Sequence, residues 1–304
     1  MKEKGRTPQG GIGKKKSHRV SNTILVLILL AGVAIAGYPM FSEYWNSMHQ
    51  SRAIMGYAER VAELSNDEYV SVWEDALEYN RRLSSDPNPW AMTDEDIDEY
   101  ERQLNVDGTG NMGFISIPKI DVNLPVYHGT SDAVLQTSIG HIDGTSLPAG
   151  SIHPDPDQYD KVEFASHSVL SGHRGLPSAK LFSDLDAMEE GDVFYLTILD
   201  QTLTYQVDKI TVIVPEDSSE LALFPGKDYC TLMTCTPYGI NTHRLLVRGV
   251  RVENDKELLD VRVTADALKI EPLYVVPFIA GPVLLLMILW VVLFAGGKKK
   301  SRYY

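Results

Sequence analysis

Cysteine is nearly absent from this chain: 304 residues carry two, Cys230 and Cys235. A disulfide-rich framework is therefore excluded. A single bridge is disfavoured as well, because a separation of five in an extended run points the two side chains to opposite faces. No second cysteine or histidine pair stands at finger-like spacing, which excludes a zinc finger. A calcium loop fails for want of one residue. Asn105-Val106-Asp107-Gly108-Thr109-Gly110 has suitable turn chemistry, but the glutamate needed at the twelfth position is Ser116. No metal and no cofactor are expected.

Positive charge is scarce except at the two ends. Between the terminal basic clusters 17 Lys and Arg stand against 40 Asp and Glu, a net charge of about −23. Such a surface excludes nucleic acid and flat contact with anionic headgroups. It suits a neutral or basic partner, such as a lysine-bearing protein.

Two long stretches lack charge altogether. Ile24 to Met40 follows a tail, residues 1–19, with seven Lys and Arg and one acid, Glu3. With its flanks it reaches the roughly 20 residues a bilayer requires. Ala34-Ile35-Ala36 could pass for a cleavage site, so a signal peptide is the alternative to a retained helix. Leu273 to Ala295 is the second apolar run, closed by Lys298, Lys299, Lys300 and Arg302. Both runs carry their cations on the terminal side, which places both termini in the cytoplasm and everything between outside the cell. The expected layout is a basic tail (1–19), a membrane helix (20–41), a helical region (42–112), a β domain (113–256), a juxtamembrane segment (257–272), a second membrane helix (273–295) and a basic tail (296–304).

The helical region shows apolar residues at three- and four-residue spacing, as in Val72, Ala76, Leu77 and Tyr79. It is interrupted at Asp86-Pro87-Asn88-Pro89-Trp90, where two prolines forbid a helix, and restarts at Thr93 with a capping-type pattern. Beyond Gly113 the pattern turns to short apolar or alternating runs. These are Phe114–Ile117, Val122–Tyr127, His167–Leu170, Val193–Leu199, Leu203–Val207, Ile210–Val214, Cys230–Thr234 and Leu245–Val252. Eight strands at that spacing predict a mainly β domain, a closed barrel or a sandwich.

One stretch gathers the chemistry. Cys235 ends a β-type run and is expected at a loop, while Arg244, nine residues on, opens the next run. Ser171-Gly172-His173-Arg174-Gly175 offers a histidine in a Gly-flanked loop. A thiol needs a proton-handling neighbour to act as a nucleophile, and His173 can serve. Arg244 stays charged, so its donors either steady an oxyanion or grip substrate carbonyls. Cys230 reads as apolar filler. His243, beside Arg244, and Thr234, beside Cys235, are candidates for lining the site.

The residues Thr231 to Gly249, TLMTCTPYGINTHRLLVRG, resemble the TLxTC…R signature of sortases. Ser166 to Phe182, SHSVLSGHRGLPSAKLF, resembles their catalytic-histidine segment. With VYHGTS (Val126 to Ser131) and GTSLP (Gly144 to Pro148), the likeness is to class C, the pilus-building branch. The resemblance implies the closed eight-stranded sortase barrel, with cysteine and arginine on its last two strands. It also implies an LPxTG-type sorting signal as substrate, a thioacyl intermediate on Cys235 and a pilin lysine as the acceptor. The chain's own Leu147-Pro148-Ala149-Gly150 lacks the threonine and is not read as such a signal. Class C sortases carry a lid of Asp-Pro-aromatic type over the cysteine. Asp86 and Trp90 match it with two residues inserted, and Trp90 is expected to plug the site. A housekeeping sortase that anchors proteins to peptidoglycan, a cysteine hydrolase and a non-catalytic anchored scaffold are the alternatives.

Overall fold

The computed structural model describes residues 15–151 and 162–254, together with Gly281. The expected second membrane helix, residues 1–14 of the first basic tail, the whole second tail, the juxtamembrane segment and the Asp/Pro-rich loop His153 to Asp160 lie outside the described residues. Ser42–Asp266 forms one compact unit, and the residues up to Phe41 belong to another.

The first helix, α1 (Lys15–Glu63), is 49 residues long, so the expected boundary near residue 41 is not a break in the helix. One helix among the described residues is long and apolar enough to cross a membrane, and it is this one, with a mean hydropathy of 2.4 over its most apolar window. Helix α2 (Asn66–Leu83) begins at a capping box, Ser65 with Glu68, and carries acids in its first turn and Arg81 and Arg82 in its last, both favourable for the helix dipole. Trp73, Ala76, Leu77 and Asn80 form its buried stripe at helical spacing. Helix α3 (Asp94–Arg102) starts at the Thr93–Asp96 capping box, as the sequence pattern leads one to expect. The Asn105–Gly110 turn closes on its own side chains: Thr109 N–H donates to Asp107 and Gly110 N–H to Asn105.

Eight strands follow: β1 (Asn111–Ile117), β2 (Val122–His128), β3 (Ile139–His141), β4 (Ser166–Ser171), β5 (Val193–Ile198), β6 (Gln201–Ile213), β7 (Asp228–Thr236) and β8 (His243–Val252). They close into a barrel in the order β1-β2-β3-β4-β7-β8-β6-β5. This decides between barrel and sandwich. Two expected strands, Leu203–Val207 and Ile210–Val214, are one strand, β6, whose register against β8 shifts between Val207 and Lys209. That irregularity interrupts the alternation and makes one strand look like two. The count is restored by β3, three residues long and too short to show a period.

The core runs through the barrel from Ile115, Ile117 and Val126 to Leu170, Leu196, Leu232 and Val247, and Cys230 lies fully buried in it as apolar filler. The helices are bound to the barrel wall. Tyr57 of α1 donates its hydroxyl to the Met112 carbonyl and accepts from Leu199 N–H, each at 2.9 Å. Asn80 of α2 donates to the carbonyls of Leu147 (3.0 Å) and Gly150 (2.8 Å) and accepts from Leu147 N–H.

Candidate active site

Strand β7 runs on to Thr236, so Cys235 is not in a loop: it is the penultimate strand residue, paired directly with Arg244 of β8 across the antiparallel ladder. Directly opposed residues carry their Cβ atoms about 5 Å apart on one face of the sheet. The nine-residue spacing therefore places the two side chains on one face of the sheet at the turn end of a hairpin. Cys235 is half-exposed and unbridged. One guanidinium nitrogen of Arg244 donates to the carbonyls of His243 (3.1 Å) and Asn241 (3.3 Å), contacts within its own turn. His243 pairs with Thr236 in the same ladder, and its Nδ1 is 2.9 Å from the Thr242 hydroxyl.

The histidine arrives from a different part of the chain. Strand β4 lies parallel to β7, with Ser171 opposite Met233, so the segment after β4 leaves the barrel at the same end as Cys235. The exit is bonded in place. Gly172 N–H donates to the Met233 carbonyl at 3.0 Å, and the Thr234 hydroxyl donates to the Gly172 carbonyl at 2.7 Å. The His173 carbonyl accepts from Phe182 N–H at 3.1 Å, which folds the loop back on itself. Gly172 has no room for a side chain: a Cβ there would lie 2.7 Å from both Ile139 and Phe182. Thr234, a candidate for lining the site, is 2 % exposed, and its hydroxyl serves the histidine loop instead.

The lid-like segment lies against the loop that follows β3. Asp86 accepts from Asn88 N–H in a local turn, and the Trp90 ring meets Gly144. A Cβ at Gly144, whose φ is +78°, would be 2.8 Å from the Pro89 carbonyl oxygen and 3.1 Å from the indole. Leu83, Asp86, Pro89, Trp90, Ser146, His167 and the stretch Leu221–Leu223 line a cavity of about 410 Å³. Neither Cys235, His173 nor Arg244 belongs to its lining. His167 pairs with Tyr229, six residues before Cys235, which at 3.3 Å per residue is roughly 20 Å along the strand. The two residues inserted between Pro87 and Trp90 form a turn closed by Ala91 N–H to the Asn88 carbonyl, and this turn sets where the ring lands.

One buried histidine lines that cavity, a second lies behind it, and both stay neutral. Burial lowers His167 to about 4, with its Nδ1 2.9 Å from the Ala222 carbonyl and its Nε2 2.7 Å from the Thr231 hydroxyl. Burial likewise lowers His141 to about 3, held between the Tyr100 hydroxyl (2.9 Å) and the Ser146 carbonyl (2.8 Å). In both, the ring nitrogen facing a carbonyl must carry the proton, so each is a neutral linker, not an acid or base for the site. Among the described residues no group of three metal-ligating side chains is gathered.

Two residues of this neighbourhood escape a reading of the sequence. Arg174 forms an ion pair with Asp186 and lies over the ring of Tyr238, and only its position next to His173 in SGHRG hints at it. Tyr238 projects from the turn after Cys235 with 62 % of its surface exposed.

Comparison with known proteins identifies this arrangement. A sortase-domain profile matches residues 115–252, the barrel from β1 to the end of β8. The solved structure of sortase C1 from Streptococcus agalactiae is 52 % identical, covering 67 % of this chain and all of that one with a TM-score of 0.62. Sortase C from Streptococcus pneumoniae, described for its catalysis and pilin substrate specificity, is 38 % identical, covering 67 % of this chain and 97 % of that one with a TM-score of 0.55. Among curated proteins, sortase A of Streptococcus agalactiae is 31 % identical over 125 residues, 41 % of this chain and 47 % of its own length, so the match spans about half of that relative. The chain belongs to the sortase family of transpeptidases, in its class C branch.

Proposed function

We propose that this protein builds pili: it cleaves an LPxTG-type sorting signal between threonine and glycine and joins the threonine to a lysine of another pilin. The observation that carries this reading is the direct pairing of Cys235 with Arg244, with the His173 segment bonded to Met233 and Thr234 just before the cysteine. The Cys235 sulfur attacks the threonine carbonyl. The C–N bond breaks, and the glycine amine leaves with a proton from His173. The lysine amine then attacks the thioester, gives its surplus proton to His173 and releases the sulfur as the isopeptide bond forms. Arg244, directly across from the sulfur, donates to the carbonyl oxygen as it gains charge. The pilin as substrate is supported by the pneumococcal relative, and the acidic surface suits a lysine-bearing acceptor.

The segment from Asp86 to Trp90 acts as the lid in this reading, covering the cavity beside His167 at the far half of the strand pair. The protein sits in the cell membrane by two helices with its catalytic domain outside; the apolar part of α1 supports the first of them. The test is mass spectrometry on the full chain in detergent, given an LPxTG-tailed pilin, a pilin lysine donor and a peptidoglycan-bridge peptide together. An adduct on Cys235 that resolves onto the lysine is the expected result. Resolution only onto the bridge peptide would make the protein a wall-anchoring sortase, and no adduct would leave a non-catalytic scaffold.

A further inference from the structure

The loop carrying His173 is bound to the strand carrying Cys235 on both sides of the histidine. On one side Gly172 is bonded to Met233 and Thr234. On the other, the Arg174 guanidinium reaches the hydroxyl of Thr236, the residue after the cysteine, at 3.5 Å, and sits 5.9 Å from the centre of the Tyr238 ring. Its other end forms an ion pair with Asp186, in the short turn Leu185–Ala187 whose Leu185 is fully buried in the core. The Arg174 side chain is 10 % exposed, although Asp186 and Tyr238 are open to solvent. Its Nε–H is buried without a partner among the described residues. Gly175 completes the contact: its φ is +78°, and a Cβ there would be 2.6 Å from the Tyr238 ring, so only glycine lets the tyrosine close over the loop.

The geometry points to Arg174 as a positioning residue for the transpeptidation proposed above, on which this inference rests: it holds His173 in reach of the bond that Cys235 makes and breaks. The physical case is one of freedom removed. A histidine between Gly172 and Gly175 has loose torsions on either side, and proton transfer fails when the base is an ångström out of place. A planar fork can bind a carboxylate and a hydroxyl at once while its face lies on an aromatic ring. A lysine, one point charge on a flexible stem, cannot do all three. Arg174 touches no reacting atom in this account; it acts through His173.

The experiment uses the full chain in detergent and measures kcat and KM for thioester formation on an LPxTG-tailed peptide, per titrated Cys235 thiol, with the melting temperature alongside. Arg174→Met is expected to lower kcat about 30- to 100-fold and leave KM within about twofold, the scale of a misplaced catalytic group. Arg174→Lys, which keeps the charge, is expected to recover less than a tenth of the lost rate. If Arg174→Met does not fold, Asp186→Asn and Thr236→Val each remove one partner and are expected to lower kcat about 3- to 10-fold, again at constant KM. Wild-type kcat in the variants, full rescue by lysine, or a raised KM at constant kcat would overturn the inference and leave the enzyme reading intact. A wild-type chain that forms no adduct on Cys235 would overturn that reading, and this inference with it.

Discussion

The hydroxyl of Thr234 donates to the carbonyl of Gly172 at 2.7 Å, so the residue before the cysteine holds the residue before the histidine. The two are 62 positions apart in the chain. Thr234→Val keeps the shape and removes the donor. It should lower stability by about 1–3 kcal/mol, because the Gly172 carbonyl loses a partner. Turnover of the folded fraction should fall with it. Urea denaturation paired with active-site titration separates the two, and unchanged turnover would show that this bond is structural only.

The pairing of Cys235 with Arg244 sets the order of damage at the site. Cys235→Ala should abolish polymer formation and His173→Ala should nearly do so. Arg244→Ala should cost about 10²–10³ in kcat, the usual loss for one oxyanion donor. Arg244→Lys should recover little of it. A rise in KM with kcat preserved would reassign Arg244 to gripping the substrate. Near-normal polymer from Cys235→Ala would end the transpeptidase reading.

Trp90 lines the cavity beside Gly144 and His167, with 46 % of its surface exposed. Trp90→Ala should therefore admit a peptide more readily, raising kcat/KM for an LPxTG peptide about 3- to 10-fold, on the order of one apolar contact removed. Labelling of Cys235 by a small thiol reagent should change little. Faster small-reagent labelling in Trp90→Ala would place the indole over the cysteine in solution after all.

Asn80 is fully buried, and its amide makes three bonds to the backbone of Leu147 and Gly150. Asn80→Leu leaves two carbonyls and one N–H without partners in a dry place. The expected loss is about 2–4 kcal/mol, measured by urea unfolding. A neutral effect would mean that water replaces the amide.

His141 and His167 give stability a pH dependence of known sign. Both have ordinary values near 6.5 when unfolded, and in the fold burial lowers them to about 3 and about 4. Below pH 6.5 the unfolded chain takes up protons that the folded chain refuses. Their contribution is therefore complete above about 6.5, declines as pH falls, and is lost through pH 4 and then 3. Each histidine should remove about 1.4 kcal/mol per pH unit within its window. His167→Asn should reduce the slope of stability between pH 6 and 4.5 by about that amount, read from denaturation midpoints at several pH values. An unaltered slope would assign the acid sensitivity elsewhere.

How much of this was readable beforehand differs between elements for physical reasons. The helix start at Thr93 is local chemistry, and the capping pattern reveals it; the capping box at Ser65 carries the same signal but falls within a continuous helix-like pattern. Cys235 and Arg244 are joined by a hairpin, so nine residues of sequence contain their geometry, although β7 extends past the cysteine instead of stopping before it. The parallel contact of β4 with β7 is a different matter. No periodicity in either strand specifies a neighbour more than fifty residues away, so His173 could be assigned to the site only by its resemblance to a known segment. A motif records residue types, while the turn at Asn88 decides the direction of Trp90, so the motif alone does not contain the place of its ring. Arg174 was passed over because beside a histidine it reads as an ordinary surface cation; its partners Asp186, Thr236 and Tyr238 come from two other segments.

The parallel placement of β4 beside β7 has a consequence for when the enzyme can act. An unfolded chain carries a free thiol at Cys235, but no imidazole is held near it until segments 62 residues apart have zipped together along Ser166 to Ser171. Such long-range pairing is among the last events of folding, since the loop entropy must be overcome first. The unfolded protein is therefore chemically quiet, and its reactivity comes only with the closed barrel. Topology itself delays the chemistry until the barrel is folded.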